Sequence, residues 1–174
     1  MVQRVELTRV DVEPRAVADF AADYADCFKV PVGAGRGEPR DWARSALRGA
    51  EDPSGPFSRL VWQGLLGFDL APRQAPGTLY GWRVTVEDGT AFVMEADGSR
   101  MAGRMVFTVS GGDVAWATLL RFHGLAGRLA WAAAGHAHRA VTPRCLVQAH
   151  RALAARSARD GTRPSEARPT PTAP

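Results

Sequence analysis

Residues 79–123 read LYGWRVTVEDGTAFVMEADGSRMAGRMVFTVSGGDVAWATLLRFH, and this stretch decides the fold. Apolar and polar residues alternate along it in four segments, which is the pattern of β-strands that bury one face. The turn sequences Asp88-Gly89, Asp97-Gly98 and Gly111-Gly112-Asp113 separate these segments. The alternation therefore predicts an antiparallel meander. Its strands are expected at residues 79–87, 91–96, 100–109 and 114–122.

One face of the predicted sheet carries bulky apolar side chains. They are Tyr80, Trp82, Phe92, Met94, Met101, Met105, Phe107 and Trp116. Methionine adapts its shape and tryptophan offers a flat surface with one N–H donor, so the set suits a large and mostly apolar ligand. Ordinary core packing accounts for the same pattern. The residues therefore predict either the wall of a small-molecule pocket or a filled core.

The chain ahead of the meander predicts two strands and two helices. Residues 2–12 alternate loosely, as an edge strand does, and residues 24–32 carry residues that favour β-structure. Helices are expected at residues 41–47 and 57–70, each with an apolar side. Trp62 lies beside the apolar stripe of the second helix, where it either joins the core or points into a cavity.

A long helix is expected after the meander, at residues 125–157. Its apolar stripe is predicted to run through Leu125, Leu129, Ala132, Ala133 and His136. Pro143 removes one helical hydrogen bond and so predicts a kink or break near residues 140–142. Residues 158–174 contain few apolar side chains and are predicted to be a disordered tail, which leaves one folded domain at residues 1–157.

Composition and charge argue against several classes of protein. The chain has 174 residues, of which 45% are hydrophobic, and a net charge of +4. Its arginines are scattered instead of clustered, so nucleic-acid binding is not expected. No apolar run is long enough to cross a membrane, and the N-terminus lacks the apolar core of a signal peptide, so we expect a cytoplasmic protein. Cys27 and Cys145 lack CxxC spacing, which favours idle thiols over a disulfide or nucleophile.

Three segments carry a resemblance to a known family. They are DYADCF at 23–28, DWARSAL at 41–47 and LLRFHGLAGRLAWAAAGHAHRAVTPRCL at 119–146. They resemble a bacterial family of unknown function in the helix-grip class, the START-like or SRPBCC superfamily. The resemblance implies an α+β helix-grip fold, in which a curved antiparallel sheet wraps around a long C-terminal helix, with two short helices between the first strands and the meander. Members of the superfamily bind lipids, hormones and polyketides, and some are aromatases or cyclases.

Few residues in the sequence indicate a catalytic site. GxSxG, HExxH and CxxC motifs are absent, and His136 and His138 point to different sides of a helix, so neither a metal nor a cofactor is expected. Tyr24 and Asp26 share one strand face, where the tyrosine could donate a hydrogen bond to a carbonyl or make a structural bond to the aspartate. His123 ends the last strand, where it could exchange a proton at a pocket mouth or lie at the surface as an anchor.

These patterns predict a cofactor-independent cyclase, with cycloaddition as its narrower form, acting on a polyketide-like intermediate. Few ionisable groups face the predicted pocket, which disfavours hydrolysis, whereas holding a flexible chain folded lowers the entropic barrier to ring closure. Tyr24 and His123 are the predicted catalytic residues. The predicted substrate-binding residues are Trp62 and the eight side chains of the sheet face. The alternatives are a non-catalytic carrier of a hydrophobic small molecule and an interaction module. The expected partner is a hydrophobic small molecule, and the sequence also permits a homodimer.

Overall fold

The computed structural model describes residues 8–9, 19–33, 37–50 and 60–161. Among them, an antiparallel sheet, a short helix and a long C-terminal helix form an α+β fold with the helix-grip arrangement, as the sequence predicts. The strands are β1 (Thr8–Arg9), β2 (Tyr24–Pro31), β3 (Thr78–Leu79), β4 (Trp82–Glu87), β5 (Ala91–Ala96), β6 (Met101–Ser110) and β7 (Asp113–Phe122). The helices are α1 (Pro39–Ala50) and α2 (Gly124–Gly161), and Leu60–Leu65 form a π-helical turn.

The sheet is curved and unclosed, with the strand order β1-β2-β7-β6-β5-β4-β3. The meander β4 to β7 is confirmed, since each of its strands pairs antiparallel with the next. Strand β2 continues the sheet by pairing with β7 along its whole length. The short strand β1 then forms the outer edge beside β2. Most of the predicted edge strand at residues 2–12 lies outside the described residues.

The first meander strand differs from the prediction. A reversal at Tyr80 and Gly81, both with positive φ (54° and 88°), divides it into β3 and β4. Glycine is required at position 81 because a Cβ there would lie 2.6 Å from the carbonyl oxygen of Ala71. A bulge between Val84 and Val86 then shifts the register, and Val86 is exposed instead of facing the core.

The inner face of the sheet carries the main hydrophobic core. Strands β5, β6 and β7 contribute many of its deeply buried side chains: Phe92, Met94, Met101, Met105, Phe107 and Val114. Each such side chain stabilises the fold by about 1.5–3 kcal/mol through removal from water. Part of the outer face is buried as well, in a smaller cluster that contains Cys27, Leu119 and the partly buried Phe20. Burial on both faces explains why β6 and β7 contain few charged residues.

Helix α1 packs against both α2 and the sheet. Trp42, Ala46 and Leu47 are buried on the predicted apolar side, and Ala43 is buried with them. Asp41 in the first turn and Arg48 in the last turn complement the helix dipole. The helix thereby covers the part of the inner face that belongs to β5 and β6.

Helix α2 differs from its prediction in two ways. It continues through Pro143 without a break. The predicted apolar stripe is also wrong, because Leu125 is 71% and Leu129 is 62% exposed. Gly127 explains the difference: a Cβ there would lie 2.1 Å from the carbonyl oxygen of Arg100, so the helix begins in backbone contact with the sheet. This contact turns another side of α2 inward, with Trp131 and Leu146 buried.

The predicted helix at residues 57–70 is wrong beyond Leu65. Within the described residues, helical structure is limited to the π-helical turn, and Gly67 then adopts a φ of +74°. Phe68 forms a β-bridge with Gly98, where a Cβ would lie 2.0 Å from the carbonyl oxygen of Gly67. This close backbone contact draws the chain onto the sheet and ends the helix. Helix α2 extends to Gly161, past residue 158 where the sequence predicts the tail to begin; residues 162–174 lie outside the described residues.

Candidate functional site

A cavity of about 570 Å³ lies between the inner face of the sheet, the π-helical turn and α2. Its volume is within the range of small-molecule sites, roughly 300–1,000 Å³. The sheet contributes wall residues from β4, β6 and β7, and α2 contributes a wall that includes Ala134, Ala137 and Val141. Small side chains at these helical positions leave the space that larger ones would fill. The cavity is partly open to solvent.

Five of the nine predicted substrate-binding residues line this cavity. They are Trp62, Tyr80, Trp82, Met105 and Trp116. The other four lie in the core, where they are completely buried: Phe92, Met94, Met101 and Phe107. The division follows from α1, which packs on β5 and β6 and fills that part of the inner face. The sequence pattern identifies the inner face correctly but does not separate its filled part from its open part.

Three aromatic rings form one end of the cavity wall, and we call them the aromatic cluster: Trp62, Phe68 and Trp82. Their ring centroids are 5.0 to 5.9 Å apart, and the Trp62 and Trp82 rings meet edge to face. Gly103 lies against them, since a Cβ there would be 2.9 Å from the Phe68 ring and 3.1 Å from the Trp82 ring. The glycine therefore allows the cluster to lie close to β6.

A chain of hydrogen bonds joins β2 to α2 at the other side of the cavity. The Tyr24 hydroxyl donates to Oδ2 of Asp26 at 2.6 Å. His138 Nε2 lies 3.2 Å from Oδ2 and 3.3 Å from Oδ1 of the same carboxylate. Thr142 Oγ1 lies 3.3 Å from Nδ1 of His138. We call these four residues the polar network; its members His138 and Thr142 line the cavity.

Asp26 is the centre of this network and is only 2% exposed. A carboxylate can be buried at tolerable cost when charged or polar groups satisfy its oxygens, which Tyr24 and His138 do here. Trp131 packs beside these partners, with ring centroids 4.8 Å from Tyr24 and 5.1 Å from His138. The indole shields the network from water and fixes the position of the histidine ring.

The electrostatic effect of the network is seen in the pKa of Tyr24. Burial, together with the hydrogen bond to Asp26 and the negative charge of its carboxylate, raises the pKa of Tyr24 from 10.0 to about 12, while Arg139 acts in the opposite direction. The phenol therefore keeps its proton at neutral pH and donates a hydrogen bond to Asp26. Tyr24 is not among the residues of the cavity wall. The structure thus places Tyr24 behind the aspartate, as a support for the network.

His123, the second predicted catalytic residue, lies elsewhere. Its Nδ1 is 2.9 Å from the carbonyl oxygen of Gly98, and its Nε2 is 3.6 Å from Asp97 Oδ1. Like Tyr24, it is not part of the cavity wall. Its contacts instead connect the end of β7 to the turn between β5 and β6, which is the anchoring role.

Sequence reasoning did not select His138, Thr142 and Trp131 as site residues. Their signal is helical spacing: positions 131, 138 and 142 are about two turns and one turn apart, so the three side chains share one side of α2. The choice between His136 and His138 depends on which side of the helix faces inward. His136 is exposed, whereas His138 reaches Asp26.

Three buried donors near the cavity have no hydrogen-bond partner among the described residues. They are Trp116 Nε1, Thr118 Oγ1 and Trp131 Nε1. All three residues belong to the cavity wall. Buried donors without partners are uncommon in folded proteins because each loses its bonds to water. Their position makes the wall receptive to hydrogen-bond acceptors.

The described residues contain no group of three or more side chains suited to hold a metal ion. Within the same part of the chain, no helix has the length and apolar character needed to cross a membrane. No family model, curated protein or solved structure matches the chain. The candidate site therefore has to be interpreted from its own geometry.

Proposed function

We propose that this protein is a cofactor-independent cyclase that binds a hydrophobic, polyketide-like intermediate in the cavity. The observation that carries the proposal is a mostly apolar cavity of about 570 Å³ whose wall includes two members of the polar network, His138 and Thr142. Such a site can bind a carbon chain along its apolar surface and hold one polar end in a fixed place. The helix-grip arrangement also supports membership of the START-like superfamily, which we propose on the resemblance given above.

Ring closure suits this site because the chemistry needs little beyond a folded substrate. A flexible chain loses most of its conformational freedom when its two ends meet, and a rigid cavity removes that cost from the reaction barrier. The aromatic cluster provides a rigid wall against which a chain can bend, since its three rings hold one another in place. Cycloaddition is the narrower form of this proposal, because it needs no proton transfer.

A non-catalytic carrier of a hydrophobic small molecule is the second candidate. One observation favours it: the Tyr24 hydroxyl and the two ring nitrogens of His138 already have partners inside the protein. In a carrier, a network that is satisfied in this way holds β2 and α2 together while the cavity binds its ligand unchanged. A homodimer and a cytoplasmic location also stay predictions.

Incubation with a linear polyketone thioester separates the two functions. Liquid chromatography with mass spectrometry should show a cyclic product, of equal mass or lighter by one water, that forms faster than in buffer. Recovery of the bound thioester unchanged would contradict the cyclase and leave the carrier. Failure to bind it would contradict both.

Variants of the wall provide the matched controls. Trp62→Ala removes one ring of the cavity wall and should weaken binding of the thioester, because the ligand loses apolar contact area. Leu129→Ala changes an exposed side chain that is not part of the wall and should leave binding unchanged. Equal affinity of the two variants would show that the thioester binds elsewhere.

A further inference from the structure

The position of His138 on the cavity wall gives it a second possible role beyond holding β2 to α2. Its Nε2 faces the buried Asp26 carboxylate at 3.2 and 3.3 Å. An ionised carboxylate only accepts hydrogen bonds, so this contact places the ring proton on Nε2. Nδ1 is then the basic nitrogen, and its partner among the described residues is the Thr142 hydroxyl at a long 3.3 Å.

An independent observation points to a ligand with hydrogen-bond acceptors at the same place. Thr118 is paired directly with Asp26 across strands β2 and β7, and Trp116 is its neighbour on the same face of β7. Both residues are more than nine-tenths buried and line the cavity. The Thr118 hydroxyl and the Trp116 N–H have no partner among the described residues, and a carbonyl oxygen is the acceptor that would complete them.

From these two observations we propose that His138, held by Asp26, is a catalytic base for keto–enol chemistry in the cavity. The inference rests on the proposed function, because it needs a carbonyl compound bound there. Nδ1 of the neutral imidazole accepts a proton from the carbon next to the carbonyl. The C–H electron pair becomes the enolate double bond, and the carbonyl π electrons move onto oxygen.

The proton balance closes without a cofactor. The enolate carbon attacks a second carbonyl of the same chain, one carbon–carbon bond forms, and the new alkoxide takes the proton back from the His138 imidazolium. The product has the same atoms as the substrate. Asp26 and Tyr24 act as positioning residues in this scheme, because their bonds hold the imidazole and the carboxylate but do not reach the ligand. This assigns an aldol type of ring closure to the site in place of cycloaddition.

Keto–enol relaxation of naphthoylacetone, an apolar β-diketone, tests the proposal directly. The probe is dissolved as the enol in organic solvent and diluted into buffer, and its ultraviolet absorbance follows conversion to the diketone. Quenching of tryptophan fluorescence reports binding of the same probe. General acid–base catalysis contributes roughly 10²–10⁴-fold, so the bound probe should relax at least about tenfold faster than the probe in buffer.

Three variants distinguish catalysis from structure. His138→Gln should lose at least about tenfold in the relaxation rate of the bound probe, with its Kd changed by less than about threefold. His136→Gln, on the exposed side of the same helix, should relax the probe as the wild type does. Asp26→Asn should lower the relaxation rate of the bound probe without changing its Kd. Loss of the fold would change the Kd as well, so this pattern identifies a positioning role. The Asp26→Asn variant also tests the proposal if His138→Gln does not fold.

The outcomes separate this inference from the proposed function. Binding without acceleration, or equal rates for His138→Gln and the wild type, would overturn the role of His138 and leave the cavity as a binding site. An unchanged rate in folded Asp26→Asn would overturn the positioning role. Absence of probe binding by the wild type would overturn both this inference and the proposed binding of carbonyl compounds.

Discussion

Alkaline titration of Tyr24 tests the polar network without knowledge of a substrate. The sequence contains two tyrosines, Tyr24 and Tyr80, so a Tyr80→Phe variant leaves one tyrosinate signal. In that background the pKa of Tyr24 is expected near 12, because burial and the Asp26 carboxylate both favour the protonated phenol. Adding Asp26→Asn removes the negative charge but retains the burial. The titration midpoint should then fall to a value between the ordinary 10.0 and about 12.

The raised pKa of Tyr24 also makes its contribution to stability depend on pH. A tenfold change in acidity corresponds to about 1.4 kcal/mol, so the full shift is worth at most about 2.7 kcal/mol. Solvent screening of the partly exposed phenol reduces this to roughly 1–1.5 kcal/mol. The pKa of Tyr24 is higher in the folded state than in the unfolded state. Its contribution is therefore fully present below the unfolded pKa, near pH 10, and is lost as the pH rises through about 12.

Absorbance of tyrosinate and far-ultraviolet circular dichroism, measured on the same samples, provide the two signals. Arg139→Gln is the opposite control, since Arg139 lowers the pKa of Tyr24 and its removal should raise the midpoint further. A midpoint near 10 while the circular dichroism is still native would refute the network around Tyr24. So would an identical midpoint with and without the Asp26 charge.

Three other substitutions have expected effects on stability, measured as unfolding midpoints in urea. Gly103→Ala should lower the free energy of unfolding by about 1–3 kcal/mol, because its Cβ would press into the aromatic cluster. Gly89→Ala, whose Cβ would meet no atom within 4 Å, should lower it much less, and equal losses would contradict the close approach at Gly103. Pro143→Ala should stabilise the chain by about 1–3 kcal/mol, since it restores a donor inside the continuous helix α2; a loss would show that the ring itself supports packing. Thr118→Val should stabilise the fold by about 1 kcal/mol, because it removes a buried hydroxyl without a partner among the described residues. It should also weaken binding of naphthoylacetone but not of naphthalene, which has no oxygen. Lower stability would indicate that the hydroxyl has a hydrogen-bond partner in the folded protein.

The meander could be predicted from sequence because its information is local. Alternation with a period of two and the turns at 88–89, 97–98 and 111–113 specify strands that then pair with their neighbours. Strand β2 was predictable for the same reason, and so was the α+β class. These elements depend on residues close to one another in the chain.

The helices were predicted less well because glycines, not apolar stripes, set their contacts. Gly127 and Gly98 each allow an approach of two backbones that an apolar pattern does not encode. The first turns the Leu129 side of α2 to solvent, and the second ends the π-helical turn early. When a helix has two plausible apolar stripes, the stripe that is buried can be chosen only once the positions of such backbone contacts are known.

The site was only partly predictable because its main contact joins distant residues. Asp26 and His138 are 112 positions apart, and the pairing appears only when α2 has the orientation that Gly127 permits. The Tyr24–Asp26 bond was predictable, since residues two apart on a strand share a face. The prediction that His123 is catalytic followed from its place at a strand end, a criterion that does not show whether the side chain lines the cavity.

The register of the sheet also explains why the polar side of the cavity is separate from the filled apolar core. Asp26 pairs with Thr118, Thr118 with Met105, and Met105 with Met94, so one row across the inner face changes from carboxylate to thioether. Helix α1 covers the Met94 end, and α2 brings His138 to the Asp26 end. A ligand with one polar end therefore has one favourable orientation, in which its oxygen lies toward β2. Because this orientation follows from strand pairing, it should persist when individual wall residues are replaced, and substitutions in the aromatic cluster should alter affinity more than the position of the reacting carbonyl.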